Sequence, residues 1–537
     1  TASYENATTG VYVVFGDGAS WNGDAAGDIL ISIEDLIGSQ FNDVLAVDDS
    51  INVLDGFGGD DVLLGLGGDD LLFGGAGNDV IEGGKGADYI DGEEGSDTAS
   101  YARATSGIYL ALGDGGNWTG EATRDILVNI ENVIGTQFND ILSMDGSNNA
   151  LTGGTGNDQL YGQGGDDLLS GGIGRDFLNG GTGNDTASYA TSAAGVYVFL
   201  GDGGNWTGDA AGDVLASIEN LEGSSFNDIL GLDDSDNRLS GGAGNDALYG
   251  LGGNDILDGG AGRDLLVGGN GTDIASYRTA ASGIYLFVGD LGNASGDARG
   301  DVFASIENVT GSRFNDIIGW DNLANMLDGG DGNDLLYGQG GDDLLLGSDG
   351  DDILVGGAGR DQLNGGAGRD LVSYATSTTR IYLYAGDFGN TNGDTIGDSY
   401  TSIEGVIGSN FDDIIGWSVG ADWIDGGAGN DRLFGFAGGD ILIGGAGNDI
   451  MTGGSGVDVF RYFGSGFGAD VITDFSPRED IVDFRGSGVK GNDGLYFDAD
   501  GFRLAFSIDG VTDSIKFLGF TEQNFSTITV LYDPFYS

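Results

Sequence analysis

Hydrophobic and polar positions recur along this chain with a period of nine. In Asp79-Val80-Ile81-Glu82 one large aliphatic residue, Ile81, sits between outward neighbours, and its equivalents include Leu63, Leu72 and Ile90. Strand alternation turns that residue inward and its neighbours outward. Each triplet follows a Gly-rich hexapeptide such as Gly74-Gly75-Ala76-Gly77-Asn78-Asp79, whose glycines can take positive φ without steric cost. Nine residues therefore predict a tight turn plus a short strand. Two units make one flattened turn, so that loops 18 residues apart stack on one edge, about 4.8 Å apart like neighbouring strands.

A longer period encloses the short one. The word Ala-Ser-Tyr or a variant places its Ser at Ser3, Ser100, Ser188, Ser276 and Ser373, with spacings of 97, 88, 88 and 97. Phe41, Phe138, Phe226, Phe314 and Phe411 open a Phe-Asn-Asp or Phe-Asp-Asp word, always 38 residues after that Ser. The difference between long and short modules is thus one nonapeptide. An added half-turn is expected to swap the edge on which later loops lie. The modules run 1–97, 98–185, 186–273, 274–370 and 371–458. After Asp458 the nine-residue register stops, and residues 459–537 carry both prolines, Pro477 and Pro534, with denser aromatics. A solenoid has to hide its last strand edge, so a capping β element is expected there. Thr1 matches Thr98 and Thr186 in mid-repeat, which suggests a chain that begins inside a longer architecture or stacks on something upstream.

Composition narrows the chemistry. Of 537 residues 110 are Gly, none is His or Cys, and the formal charge is −67. Zinc sites of the usual ligands, thiol nucleophiles, disulfides and imidazole triads are excluded. The charge argues against nucleic acid and anionic membranes as partners, and no apolar run is long enough to span a bilayer. A hydrophobic fraction of 39% provides a core, yet the chain repels itself. A counter-ion present in many copies resolves that conflict.

The repeated acids supply its sites. They are Asp61, Asp70, Asp79, Asp88 and Asp97; Asp158, Asp167, Asp176 and Asp185; Asp246, Asp255, Asp264 and Asp273; Asp334, Asp343, Asp352, Asp361 and Asp370; and Asp422, Asp431, Asp440, Asp449 and Asp458. Asp61, Asp79 and Asp97 would line one edge, with Asp70 and Asp88 on the other. Carboxylates stacked this closely need a cation between them. Carboxylate and loop-carbonyl oxygens select a hard ion, and their flexible geometry favours Ca²⁺ over Mg²⁺.

The nonapeptide, in more than twenty in-phase copies, resembles the RTX (hemolysin-type calcium-binding repeat) family, whose pattern is Gly-Gly-x-Gly-x-Asp-x-apolar-x. The resemblance implies an all-β, elongated, right-handed parallel β-roll of five super-repeats with a C-terminal cap. It also implies calcium between stacked turns, the ligating Asp falling on the residues just named, and secretion by a type I exporter with an uncleaved signal near the C-terminus. The second Gly of the pattern is replaced at Phe57, Leu66, Glu93, Gln163, Leu251, Gln339, Ser348 and Phe436. Asn stands for Asp at Asn52, Asn149, Asn237 and Asn325, where sites are expected to be weaker or absent.

The constant blocks carry further acids: Asp17, Asp114, Asp202, Asp290 and Asp387; Asp28, Asp125, Asp213, Asp301 and Asp398; and Glu34, Glu131, Glu219, Glu307 and Glu404. These either form extra calcium sites or, the more common role for such acids, hold backbone N–H groups of a wider turn with a protruding loop. Trp21, Trp118 and Trp206 share one loop position, occupied by Ala294 and Thr391 in the last two copies. They either contact a glycan or neighbouring chain or pack across their own loop. Five near-copies of one module favour a calcium-hardened structural or adhesive protein, an extracellular rod or surface-layer component, over an enzyme. The competing reading is the calcium-dependent folding and secretion tail of an extracellular enzyme.

Overall fold

A computed structural model describes residues 1–15, 21–112, 118–200, 206–288, 294–384, 392–485, 487, 495–498, 501–508, 511–518 and 529–531. Its elements are short β-strands and single 3-10 turns. Two compact units divide it, one of Thr1–Asp273 with Val302–Ile306, the other of Ile274–Asp301 with Glu307–Ser537.

In the first unit successive strands fall alternately into two parallel ladders. Leu36–Ile37, Val53–Asp55, Leu71–Ala76 and Tyr89–Glu94 stack on one side. Val44–Ala46, Val62–Leu64, Val80–Glu82 and Thr98–Ser100 stack on the other. The register is 18 residues, as Leu45↔Leu63 and Leu63↔Ile81 show. The middle residue of each strand points inward: Leu45, Leu54, Leu63, Leu72 and Ile81 are fully buried and form the spine of the core. Both period-nine and period-18 expectations are met, and the fold is a parallel β-roll.

The constant block departs from a simple widened turn. It interrupts one ladder with two strands in reversed chain order, the later ending one sheet and the earlier opening the next. Ile126–Val128 pairs back to Tyr89–Glu94, while the earlier Tyr109–Ala111 pairs forward to Ile141–Ser143. Meanwhile Thr98–Ser100 pairs directly with Asn132–Ile134 in the other ladder, which stays unbroken. The same reversal occurs at Val214–Ala216 and Tyr197–Phe199. Val302–Ala304 pairs back to Leu265–Asn270 and so belongs to the first unit.

The swap of edges after a long module is present in each unit. Ala2–Ser3 stacks with Leu36–Ile37, but its equivalent one 97-residue module later, Thr98–Ser100, lies in the other ladder. Thr186–Ser188, only 88 residues further, remains in the ladder of Thr98–Ser100. In the second unit Ile274–Ser276 pairs with Asn308–Thr310, whereas Leu371–Ser373 pairs with Ile353–Val355 and Gly405–Ile407 in the opposite ladder.

Stacking continues past Asp458, with longer connections replacing the nonapeptide. Val471 pairs with Ile450 and Ile481 with Val459, at spacings of 21 and 22 residues. Val511–Phe517 then adds in parallel to Ala469–Ile472, followed by antiparallel Gly501–Ile508 and Leu495–Asp498. This reversal of direction is the expected cap of the ladder. Pro534 lies outside the described residues.

Candidate calcium sites

The Gly-rich loops place each repeat Asp inside the turn, buried, where its carboxylate accepts from backbone N–H. The N–H of Asp61 donates to Oδ1 of Asp79 at 2.8 Å, and that of Asp79 to Oδ1 of Asp97 at 2.8 Å. On the other edge the N–H of Asp70 donates to Asp88 at 2.8 Å. Asp158, Asp167, Asp176 and Asp185 form the same ladders, as do Asp334, Asp343, Asp352, Asp361 and Asp370. Asp246 and Asp255 donate to Asp264 and Asp273, and Asp431 and Asp440 to Asp449 and Asp458.

The second carboxylate oxygen is the decisive atom. In Asp61, Asp70, Asp79, Asp88 and Asp97, and in their counterparts such as Asp158, Asp343 and Asp431, Oδ2 is buried with no hydrogen-bond partner. It lies over the first Gly of its own loop. A Cβ on Gly56 would land against Asp61 Oδ2 and the Gly74 carbonyl oxygen, and one on Gly74 against Asp79 Oδ2 and the Gly92 carbonyl. Such loops thus hold an oxygen cradle of one carboxylate and a backbone carbonyl. Among the described residues no three acidic side chains gather at one point, so each cradle depends on carbonyls for the rest of its donors. Such an all-oxygen set suits Ca²⁺.

Electrostatics agree. Burial, opposed by the single backbone N–H and reinforced by neighbouring carboxylates, pushes Asp61 up to about 8, Asp70 to about 7 and Asp79 to about 6. Asp334 and Asp431 are pushed to about 8 by the same causes. A cation at Oδ2 removes this penalty and lets the buried carboxylate stay ionised.

The residue four before the Asp decides whether Oδ2 stays open. Where it has positive φ, its N–H turns away from the carboxylate. Gly75 has φ of 105° and Gly84 of 92°, and the eight replacements Phe57, Leu66, Glu93, Gln163, Leu251, Gln339, Ser348 and Phe436 all keep φ between 67° and 77°. Where Ser or Thr stands there with ordinary φ, the N–H closes on Oδ2. Thr136 binds Asp140 at 2.6 Å through its N–H and at 3.0 Å through Oγ1. Ser418 does the same to Asp422 at 3.0 and 2.7 Å. The structure therefore separates Asp422 from the other repeat acids. Its loop also carries buried Trp417 at the place of the first Gly, as the Asn52, Asn149, Asn237 and Asn325 loops carry buried Val47, Met144, Leu232 and Trp320. Asn52, Asn149 and Asn325 turn their amide N–H to the carbonyls of Glu34, Glu131 and Glu307.

Most block acids serve structure. The Tyr of each Ala-Ser-Tyr word donates to the second block Asp: Tyr4 to Asp28 at 3.1 Å, Tyr101 to Asp125 at 3.0 Å, Tyr189 to Asp213 at 3.1 Å, Tyr277 to Asp301 and Tyr374 to Asp398 at 2.8 Å. Asp125, Asp213 and Asp398 also take the N–H of Asp88, Asp176 and Asp361, and Glu131, Glu219 and Glu404 take that of Asp97, Asp185 and Asp370. They carry the ladders across the block. Asp17, Asp114, Asp202, Asp290 and Asp387 lie outside the described residues, as does Thr391. Trp21, Trp118 and Trp206 donate Nε1–H to Val14, Ala111 and Phe199 at 3.0, 2.8 and 3.0 Å, so they pack across their own loop.

The sequence model of the RTX calcium-binding nonapeptide repeat matches 37–99, 130–187, 216–275, 321–374 and 418–461 in overlapping copies, just over half of the chain. The chain belongs to this RTX repeat family. No curated protein matches it significantly. Similar solved structures include the AlgE6R3 subunit of the Azotobacter vinelandii mannuronan C5-epimerase, 29% identical over 23% of this RTX chain and 80% of that one, TM-score 0.19. Another is the extracellular lipase LipA of Serratia marcescens, 20% identical, TM-score 0.20, covering 43% of this chain and 41% of the lipase; the chain thus spans less than half of that relative's length.

Proposed function

We propose that this RTX protein is secreted and folds when calcium fills its loops outside the cell, where it serves as a structural or adhesive element rather than an enzyme. One observation carries the reading: a buried, unpartnered carboxylate oxygen recurs in loop after loop, facing a glycine carbonyl of the next turn. A chain of charge −67 cannot close such loops ionised and empty. In the low-calcium cytoplasm it stays expanded and can thread a type I exporter; outside, calcium supplies the charge that lets the loops close, so that metal binding and folding are one event. In this reading Asp Oδ1 ties adjacent turns through backbone N–H, Oδ2 and glycine carbonyls take the ion, and the aliphatic spine closes the core. The five-fold module favours a role spread along the chain, such as self-association or contact with a cell-surface glycan or protein, over catalysis at one place.

The test is circular dichroism and sedimentation of the purified chain with calcium and with EGTA, alongside assays of ester, peptide and polysaccharide substrates. At pH 8 the reading expects strand signal and compaction only with calcium, and no turnover. Equal order in EGTA would overturn the calcium step, and turnover would overturn the structural role.

A further inference from the structure

Beyond the last nonapeptide the two edges of the roll behave differently. On one edge the ladder ends in a closed loop. The N–H of Asp458 donates to Asp480 Oδ1 at 3.0 Å, but the N–H of Ser476, four residues before Asp480, occupies Asp480 Oδ2 at 2.6 Å. This is the arrangement of Asp140 and Asp422.

The other edge stays open. The N–H of Asp449 donates to Asp470 Oδ1 at 2.9 Å, 21 residues on, with the geometry of the N–H of Asp431 on Asp449 at 2.8 Å. The outer ladder crosses the same gap: the N–H of Ala469 donates to Asn448 Oδ1 at 3.0 Å, as that of Asn448 does to Asn430. Gly466, four residues before Asp470, has φ of 90°, and its N–H goes to Asp513 Oδ2 at 2.9 Å instead of to Asp470. Gly468 donates to the other oxygen of Asp513 at 2.9 Å, which pins the lengthened loop. Asp470 is 1% exposed, and its Oδ2 has no partner. Tyr462, in the electrostatic field of Asp470 and Asp449, carries a second buried oxygen without one.

From this geometry we infer that Asp470, outside the nonapeptide pattern, is a metal ligand: with Asp449 it closes a further divalent-cation site at the end of one edge, while the opposite edge ends without one at Asp480. The loop 464–470 reproduces three features of an open repeat loop, the inner ladder, the outer ladder and a left-handed residue four before the acid, with Ser465 in place of the first Gly. It does so with three extra residues, which Asp513 holds in place. The inference rests on the calcium reading above.

The test counts calcium bound to the full chain at saturation in the wild type, Asp470→Asn and Asp422→Asn. Asp470→Asn is expected to bind one ion fewer, and Asp422→Asn as many as the wild type. A wild type that binds no calcium would sink the calcium reading itself. Normal binding by the wild type with an unchanged count in Asp470→Asn would sink this inference alone, as would an ion lost in Asp422→Asn. Hydrogen exchange on the wild type guards against a misfolded variant. The amides of Asp449 and of 469–472 should gain protection over the same calcium range as loop 426–431. Protection at 469–472 that ignores calcium while loop 426–431 responds would overturn the assignment.

Discussion

The backbone N–H of Asp61 donates to Oδ1 of Asp79 at 2.8 Å, while Oδ2 of Asp79 lies buried with no partner. One oxygen of this carboxylate therefore joins turns, and the other is the one offered to an ion in the proposed function. Asp79→Ala removes both. A lost hydrogen bond to a charged group costs about 1.5–3 kcal/mol, and the sites shared with the loops of Asp61 and Asp97 should go with it. Calorimetric titration with calcium should show reduced stoichiometry, and wild-type stoichiometry would contradict the pairing.

Calcium and protons should act as alternatives. In the ion-free fold Asp61, Asp334 and Asp431 sit at about 8 against 3.8 for the ordinary carboxyl. The folded state then binds more protons than the unfolded one between these values, so ion-free stability is highest at low pH and is lost as pH rises through that window. In buffer stripped of calcium by chelating resin, strand signal should be stronger at pH 5.5 than at pH 8. In calcium, the concentration needed for half-folding should increase as pH falls from 8 to 6, because protons compete for the same oxygens. A calcium midpoint independent of pH would contradict the burial of these groups.

Gly74 leaves the room that the Asp79 carboxylate uses. A Cβ there meets Asp79 Oδ2 and the Gly92 carbonyl. Gly74→Ala should destabilise the calcium-loaded fold by about 1–3 kcal/mol, the usual cost of overpacking. Thermal unfolding in saturating calcium reads this directly.

Leu66 holds a left-handed conformation, with φ of 67°. Such strain costs about 1–2 kcal/mol, and Gly at this position relieves it while adding about 0.5–1 kcal/mol of chain entropy to the unfolded state. Leu66→Gly should thus raise the melting temperature slightly in calcium. A fall would mean that the half-exposed side chain contributes more than the backbone strain.

Tyr101 donates to Asp125 at 3.0 Å inside the block. Tyr101→Phe leaves a buried carboxylate short of one donor and should cost about 1–3 kcal/mol. Calcium stoichiometry should be unchanged, since Asp125 carries the ladder and does not face an ion. An ion lost in this variant would reassign Asp125 as a ligand.

The sequence alone determined the repeating unit. Period nine set the strand and turn, period 18 set the register, the inward aliphatic row set the core, and the 97- and 88-residue modules set which ladder follows. These features are local in the chain, so local pattern carries them. Tertiary structure decided which acids keep an unpartnered buried oxygen. Asp422 keeps the nine-residue phase yet is closed by Ser418, and Asp470 breaks the phase yet stays open because Asp513, 43 residues away, takes the N–H groups of Gly466 and Gly468. It also decided the reversed order of Tyr109–Ala111 and Ile126–Val128, which depends on where each finds a free strand edge. A Ser or Thr four residues before the acid accompanies the closed loops at Asp140 and Asp422, yet Ser348 stands before the open Asp352 with φ of 77°, so the residue type alone does not decide it. The open loop at Asp470 was not legible either, because its donors are diverted by a residue distant in sequence and brought close only by folding.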